Sequence, residues 1–330
     1  MSTRIVTDAD LLVLRDTIDT ILVTWASGLP ETGPDTPPPP PNPINTWSTG
    51  AFTEHKKTVA DAWFANIMRR PGQGWRHVCA FVTHNQDEAK LTNNWWAACV
   101  PGGTGLSLRI PLVPKNDTDL KKDRSATWRT IARQAAAVDP DALICPGWEM
   151  NLPGWAHRVT SSNLSAWRDA WTRCYDVMKA EAPGLVIGFN PNGGPDQTGV
   201  DIRKVWVDGK IDAAGPDQYD CWPGMTSDAN TAKLFEQPGG LNFWQDWTFD
   251  HDVALIVPEW GVSSGTQWAG HTGGDNPNYI RKMWEFFQAS PNLLMETYFN
   301  EGAGYLKSDL LFGQNPKAGA LYKELWSTLP

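Results

Sequence analysis

Two glutamates stand where the chain passes from strongly apolar to aromatic residues. Glu149 closes the run ALICPGWE and is followed by MNLPGW, so Trp148, Asn151 and Trp155 surround it. Glu259 closes DVALIVPE, between Pro258 and Trp260. Two carboxyl groups facing each other suit the cleavage of a glycosidic bond. One, protonated, gives its proton to the leaving oxygen; the other, ionised, meets the anomeric carbon from the opposite side. Apolar or aromatic walls raise one pKa, and hydrogen bonds hold the other down. An isolated glutamate more often caps a helix or joins a surface ion pair. Two in matching positions, each beside tryptophan, favour the catalytic reading.

Other candidates lie at the ends of other apolar runs. In GPDQYDCWPG, Asp217 and Tyr219 alternate with Gln218, so both lie on the face opposite it. A tyrosine there can hydrogen-bond the nucleophile and keep it ionised; a core tyrosine is the plainer alternative. Trp222 follows in a loop of Pro and Gly, a platform for a sugar. In METYFNEGAG, Tyr298, Phe299 and Asn300 either floor the cleft or simply pack. His84 and Asn85 are placed to touch substrate hydroxyls. Arg109 lies inside an apolar run, and its direction is open. The long 261–276 segment, with Trp268, is of a length that usually shapes a site. Asn190–Gly194, NPNGG, reads as a turn first and a ligand contact second.

These residues need elements to carry them. From residue 44 onward, short apolar runs alternate with helical patterns. Strand candidates are 45–52, 77–83, 106–113, 142–148, 185–190, 213–219, 253–258 and 293–299. Helix candidates are 57–69, 87–98, 125–137, 164–182, 200–207, 241–249, 277–289 and 317–325. Strict alternation implies parallel strands with crossover helices, and eight units fit a closed (β/α)8 barrel, α/β in class. An open doubly wound sheet would show a Gly-rich first βα turn, which is not seen. In a closed barrel the chemistry sits at the C-terminal strand ends, which is where both glutamates fall.

Before the barrel, residues 8–27 carry Leu11, Leu14, Ile18, Ile21 and Trp25 at alternating spacings of three and four, a coiled-coil seam. A helix this short needs a partner: another copy, a different protein, or the barrel itself. Residues 28–43, GLPETGPDTPPPPPNP, read as a semi-rigid spacer. The expected domains are therefore 1–27, 28–43 and 44–330.

Composition narrows the partners. The net charge is −9 with no basic run, which gives no footprint for nucleic acid or anionic lipid. No apolar stretch reaches membrane-spanning length. The opening MSTRIVTDADLL has no basic region followed by an apolar run, so no secretory signal is expected. The five cysteines are odd in number and lack a CxxC pair, and the histidines show no HExxH spacing, so no disulfide framework and no metal site is expected. Tryptophan stands out at 19 residues; roughly two-thirds are expected in the core, the others being free to stack on sugar.

WEMN after the fourth run, PDQYD after the sixth and PEWG after the seventh resemble the clan A glycoside hydrolases, most closely family 26, the β-mannanase group. The resemblance covers residues 44–330. It implies a (β/α)8 fold, retaining double displacement without metal or organic cofactor, Glu149 as acid/base and Glu259 as nucleophile. Asp217 and Tyr219 match the family's DxY pair, and Trp155 the aromatic residue a few positions after the acid. The chain departs from the family at Trp148, where histidine is usual, and at Tyr298 and Phe299, where tryptophan is usual. A hydrolase preceded by a coiled coil and a proline spacer also looks like a bacteriophage tail enzyme, carried on the virion or otherwise cytoplasmic. The alternatives are a barrel that binds glycan without cutting it and a structural tail component.

Overall fold

The computed structural model describes residues 47–66, 76–82 and 87–327. His84, the seam helix at 8–27 and the spacer at 28–43 lie outside the described residues.

The strands are β1 (Ser48–Phe52), β2 (Arg76–Phe81), β3 (Gly105–Ile110), β4 (Leu143–Pro146), β5 (Val186–Phe189), β6 (Ala213–Ala214), β7 (Gln218–Tyr219), β8 (Ala254–Gly261) and β9 (Leu293–Phe299). Each pairs in parallel with its neighbours, β1 with both β2 and β9. β6 and β7 both pair with β8 and are two pieces of one barrel strand. The eight-stranded parallel barrel is thus closed. The sixth strand was expected unbroken over 213–219. It is interrupted because Gly215 presses against β8, where a Cβ would run into the Ile256 carbonyl.

The helices are α1 (Lys57–Asn66), α2 (Glu88–Leu91), α3 (Ser125–Val138), α4 (Leu164–Glu181), α5 (Ile202–Val205), α6 (Asp228–Phe235), α7 (Leu241–Asp250), α8 (Pro277–Ala289) and α9 (Pro316–Trp326). The helix expected over 87–98 divides into α2 and a 3-10 turn, Trp95–Cys99, because Asn93 and Asn94 favour a turn between them. α6 was not foreseen; Ser227 caps it by accepting the Asn230 N–H. α8 shows how the outer ring forms. Pro277 opens it, the Asn276 side chain caps it, and Tyr279, Ile280, Met283, Phe286 and Phe287 form one buried stripe. Each such side chain contributes about 1.5–3 kcal/mol when removed from water. Among the described residues, no helix is long and apolar enough to cross a membrane.

The barrel interior is mixed. Leu143, Cys145, Ala213, Ile256 and Met295 cluster there, with Gly188 leaving room for them. Below the mouth, His77 bridges Ser48 and Thr297 at 2.8 Å each, and Arg109 is fully buried. The larger core lies between sheet and helices and holds Trp47, Trp63, Trp128, Trp167, Trp171, Trp244, Trp260 and Trp326. Most of the described tryptophans are accounted for by packing.

Candidate active site

Both glutamates are at the C-terminal mouth, brought there by different irregularities. After β4 the chain turns through two left-handed positions, Gly147 (φ 60°) and Glu149 (φ 51°). Glycine takes that conformation freely, whereas glutamate at positive φ is strained, and such strain concentrates at functional sites. The Glu149 N–H is fixed by the Asn190 carbonyl at 2.6 Å. In β8 a register shift lies between Val257 and Trp260. Ile256 faces the interior and Val257 the helices, so simple alternation would send Glu259 outward. The extra residue reverses the faces: Glu259 comes into the mouth and Trp260 goes out to the helices.

The two carboxyl groups have different company. Glu149 accepts from Asn192 Nδ2 at 2.9 Å and Trp155 Nε1 at 3.1 Å, both neutral donors. Glu259 accepts from the Tyr219 hydroxyl at 2.6 Å, and Arg109 Nε lies 3.8 Å from its other oxygen. Arg109 is held by Ser107 at 2.5 Å and by the Pro258 carbonyl. Burial pushes both carboxyls above the ordinary range, and the charge of Glu149 pushes Glu259 further. Asp217 is raised by burial and then by both glutamates. Carboxyls this crowded do not all ionise together. The cation and the hydroxyl favour charge on Glu259, so the proton held by the pair rests on Glu149.

A cavity of about 590 Å³ opens above them. Glu149, Trp155, Asp217, Tyr219 and Trp222 line it, whereas Glu259 lies beneath, 5% exposed and bonded to Tyr219. Trp222, Trp268 and Tyr305 give the same cavity an aromatic wall from three loops. Tyr305 meets Trp268 at 4.7 Å, Trp268 meets Trp222 at 6.2 Å, and Trp222 stacks on His271 at 3.7 Å. The Trp222 N–H to His271 carbonyl bond and the Cys221–Thr272 bridge tie two of those loops together. Among the described residues lining the cavity, none is Lys, Arg or His.

Four residues expected to touch substrate lie outside this cavity. Trp260 is fully buried among Phe287, Trp326 and Tyr298, with Nε1 donating to Glu296 at 2.6 Å. Tyr298 shares its face, stacks on Trp63 and donates to the Ser308 carbonyl at 2.7 Å. Trp148 lies behind Trp155, ring centroids 4.9 Å apart, and does not border the cavity. Asn151 is spent on Asn192, giving to its carbonyl and accepting from its N–H at 2.8 Å each, so it positions the group that bonds Glu149.

Sequence reasoning passed over three residues. Asn192 was read first as part of a turn, yet it follows β5 as Glu149 follows β4. Arg109 alternates with Leu108 and Ile110, both packed under the helices, and that parity marks it as inward. Tyr305 carried no local signal, because a loop residue six positions past a strand has no periodicity to read.

The Bacillus subtilis YdhT protein matches with TM-score 0.55 and 14% identity over 86% of this chain and 87% of that one. A Cellulomonas fimi endo-β-1,4-mannanase of glycoside hydrolase family 26 matches with TM-score 0.61 and 11% identity over 86% and 70%. GH26C from Muricauda sp. matches with TM-score 0.57 and 10% identity over 87% and 89%. The fold is that of the family 26 glycoside hydrolases. No family model matches the chain, and no curated protein matches it.

Proposed function

We propose that the protein is a retaining glycoside hydrolase acting on a neutral polysaccharide, with Glu149 as acid/base and Glu259 as nucleophile. The observation that carries this is the unequal environment of two carboxyls at one barrel mouth: a cation and a phenol on Glu259, neutral donors on Glu149.

In the first step Glu149 gives its proton to the glycosidic oxygen while a Glu259 oxygen bonds to the anomeric carbon. The C–O bond to the leaving sugar breaks, and its electron pair leaves with the protonated oxygen. In the second step Glu149, now a carboxylate, takes a proton from water as that water attacks the anomeric carbon, and Glu259 departs. Asn192 and Trp155 stabilise Glu149 when it is charged, and Arg109 and Tyr219 stabilise Glu259 before attack and after release. Neither step calls for a metal or an organic cofactor. Asp217, buried at the cavity edge, is placed to meet a sugar hydroxyl. The aromatic wall offers flat apolar faces to sugar C–H groups. A cavity lined by carboxyls without lysine or arginine disfavours uronic acids and sulfated sugars.

β-1,4-Mannan, the substrate in the names of the Cellulomonas fimi proteins, is the first polysaccharide to test, in a panel with other neutral glycans. Glu259→Ala should abolish release of reducing ends, and added azide should restore turnover with an inverted glycosyl azide product. The wild-type product, followed by NMR at early times, should keep the anomeric configuration of the substrate. Wild-type turnover in Glu259→Ala refutes the assignment. A glycan bound tightly and left whole after overnight incubation favours a binding barrel instead.

A further inference from the structure

A second hollow adjoins the catalytic cavity. Its volume is about 610 Å³, close to the about 590 Å³ of the first. Asn192, Pro195 and Gln237 border both. The ridge between them is largely backbone: Gly194 N–H donates to the Gly239 carbonyl at 2.9 Å, and a Cβ on Gly239 would run into Gly194. Two glycines at the contact keep the ridge low.

The hollow has an aromatic floor and a polar rim. Phe243 is half-buried there, its ring 5.7 Å from and nearly parallel to Trp247, and edge-on to Trp244. Asn242 and Asp246 stand four residues apart on α7, hence on one face, and both are exposed. Arg203, the cation among the described lining residues, is taken by Asp201 through bonds of 2.9 and 2.6 Å. Hydrogen-bond acceptors around an apolar ring face suit a neutral sugar, whose hydroxyls donate and whose C–H face stacks, and they repel an anion. The hollow lies across Asn192 from the cavity, and Asn192 is bonded to Glu149. Glu149 protonates the departing oxygen, so this is the leaving-group side.

We propose that this hollow binds neutral sugar units of the substrate on the leaving-group side, reached across the Gly194–Gly239 ridge. The inference rests on the catalytic reading above. Its probes are β-1,4-mannohexaose, long enough to cross the ridge, and a chromogenic aryl β-mannobioside, whose leaving group stops short of it. Phe243→Ala removes the floor, and Asn242→Trp plugs the hollow from an exposed position at little cost in folding. Both should lower kcat/KM on the hexaose by about tenfold. Both should shift its product pattern and leave the aryl substrate within about twofold. Unchanged hexaose kinetics and products in both variants overturn the inference while leaving the catalytic reading intact. Equal losses on both probes also overturn it. Wild-type turnover by Glu259→Ala, or a wild-type protein inert toward every glycan of the panel, overturns the reading beneath it and the inference together.

Discussion

Trp155→Phe removes one N–H and keeps the ring, so it isolates a single donor to Glu149. That donor favours the charged carboxylate, and its loss raises the Glu149 pKa. The acid must be protonated for the first step, so the basic limb of the kcat/KM profile should move to higher pH. Tyr219→Phe acts on the other carboxyl. Its hydroxyl lowers the Glu259 pKa, and Glu259 must be ionised to attack, so here the acidic limb should move to higher pH. A pH–rate series on one soluble substrate checks both; limbs that stay in place would show that these carboxyls are not the titrating pair. Glu149→Ala should cost about 10²–10⁴ in kcat/KM on a poor leaving group. It should cost much less on an activated aryl glycoside, which departs without a proton. Equal losses on the two would deny Glu149 the acid role.

At the scale of elements, the Val257–Trp260 irregularity in β8 has two consequences. It turns Glu259 into the mouth, and it sends Trp260 into the outer core beside Glu296 of β9. Glu296, fully buried, accepts from Trp260 at 2.6 Å and from Trp326 of α9 at 3.0 Å, clamping the last helix to the last two strands. Glu296→Ala leaves two buried indole N–H groups to find other partners and opens a cavity, at a cost of about 2–4 kcal/mol. A thermal melt of the variant should fall by several degrees. An unchanged melt would mean that the clamp carries no stability. Asn151→Ala loosens the next element along, the Asn190–Gly194 turn, and should lower kcat more than it raises KM, because Asn192 would no longer be held against Glu149.

Over the whole molecule, the active site opposes stability in one pH window and buried histidines oppose it in another. Glu259 is raised from 4.5 by burial and by the charge of Glu149. Glu149 is raised as well, so the folded pair keeps on Glu149 a proton that the unfolded chain has lost, and stability falls as pH rises above the ordinary carboxylate range. His77 and His55 are lowered from 6.5 to about 3 and about 4, each mainly by burial. There the unfolded chain gains protons that the folded one refuses, and stability falls as pH drops below 6.5. Glu259→Gln should thus raise the melting temperature at neutral and alkaline pH and do little near pH 4.5, an exchange of function for stability. Equal shifts at both pH values would contradict this. Removal of residues 1–43 should leave a barrel that still hydrolyses glycan, with any self-association lost on size exclusion. An inactive but folded barrel would tie the first segment to catalysis.

The eight-unit alternation was legible because each strand and each amphipathic helix writes its own short-range period. The positions of Glu149 and Glu259 at strand ends followed from that alone. Facing was not legible where the period breaks. One extra residue in β8 exchanged the sides of Glu259 and Trp260, and Tyr298 followed the outward face of β9. Local composition around Trp260 and Tyr298 is the same whether they line a cleft or fill a core. Only packing against Trp326 and Trp63 decided it. The sequence alone determined which residue types stand at the barrel mouth, since that is a matter of spacing along the chain. Tertiary structure decided which of them share one space, because Asn192, Arg109 and Tyr305 reach the site from three different strand ends, and the approach of distant strands leaves no periodic trace.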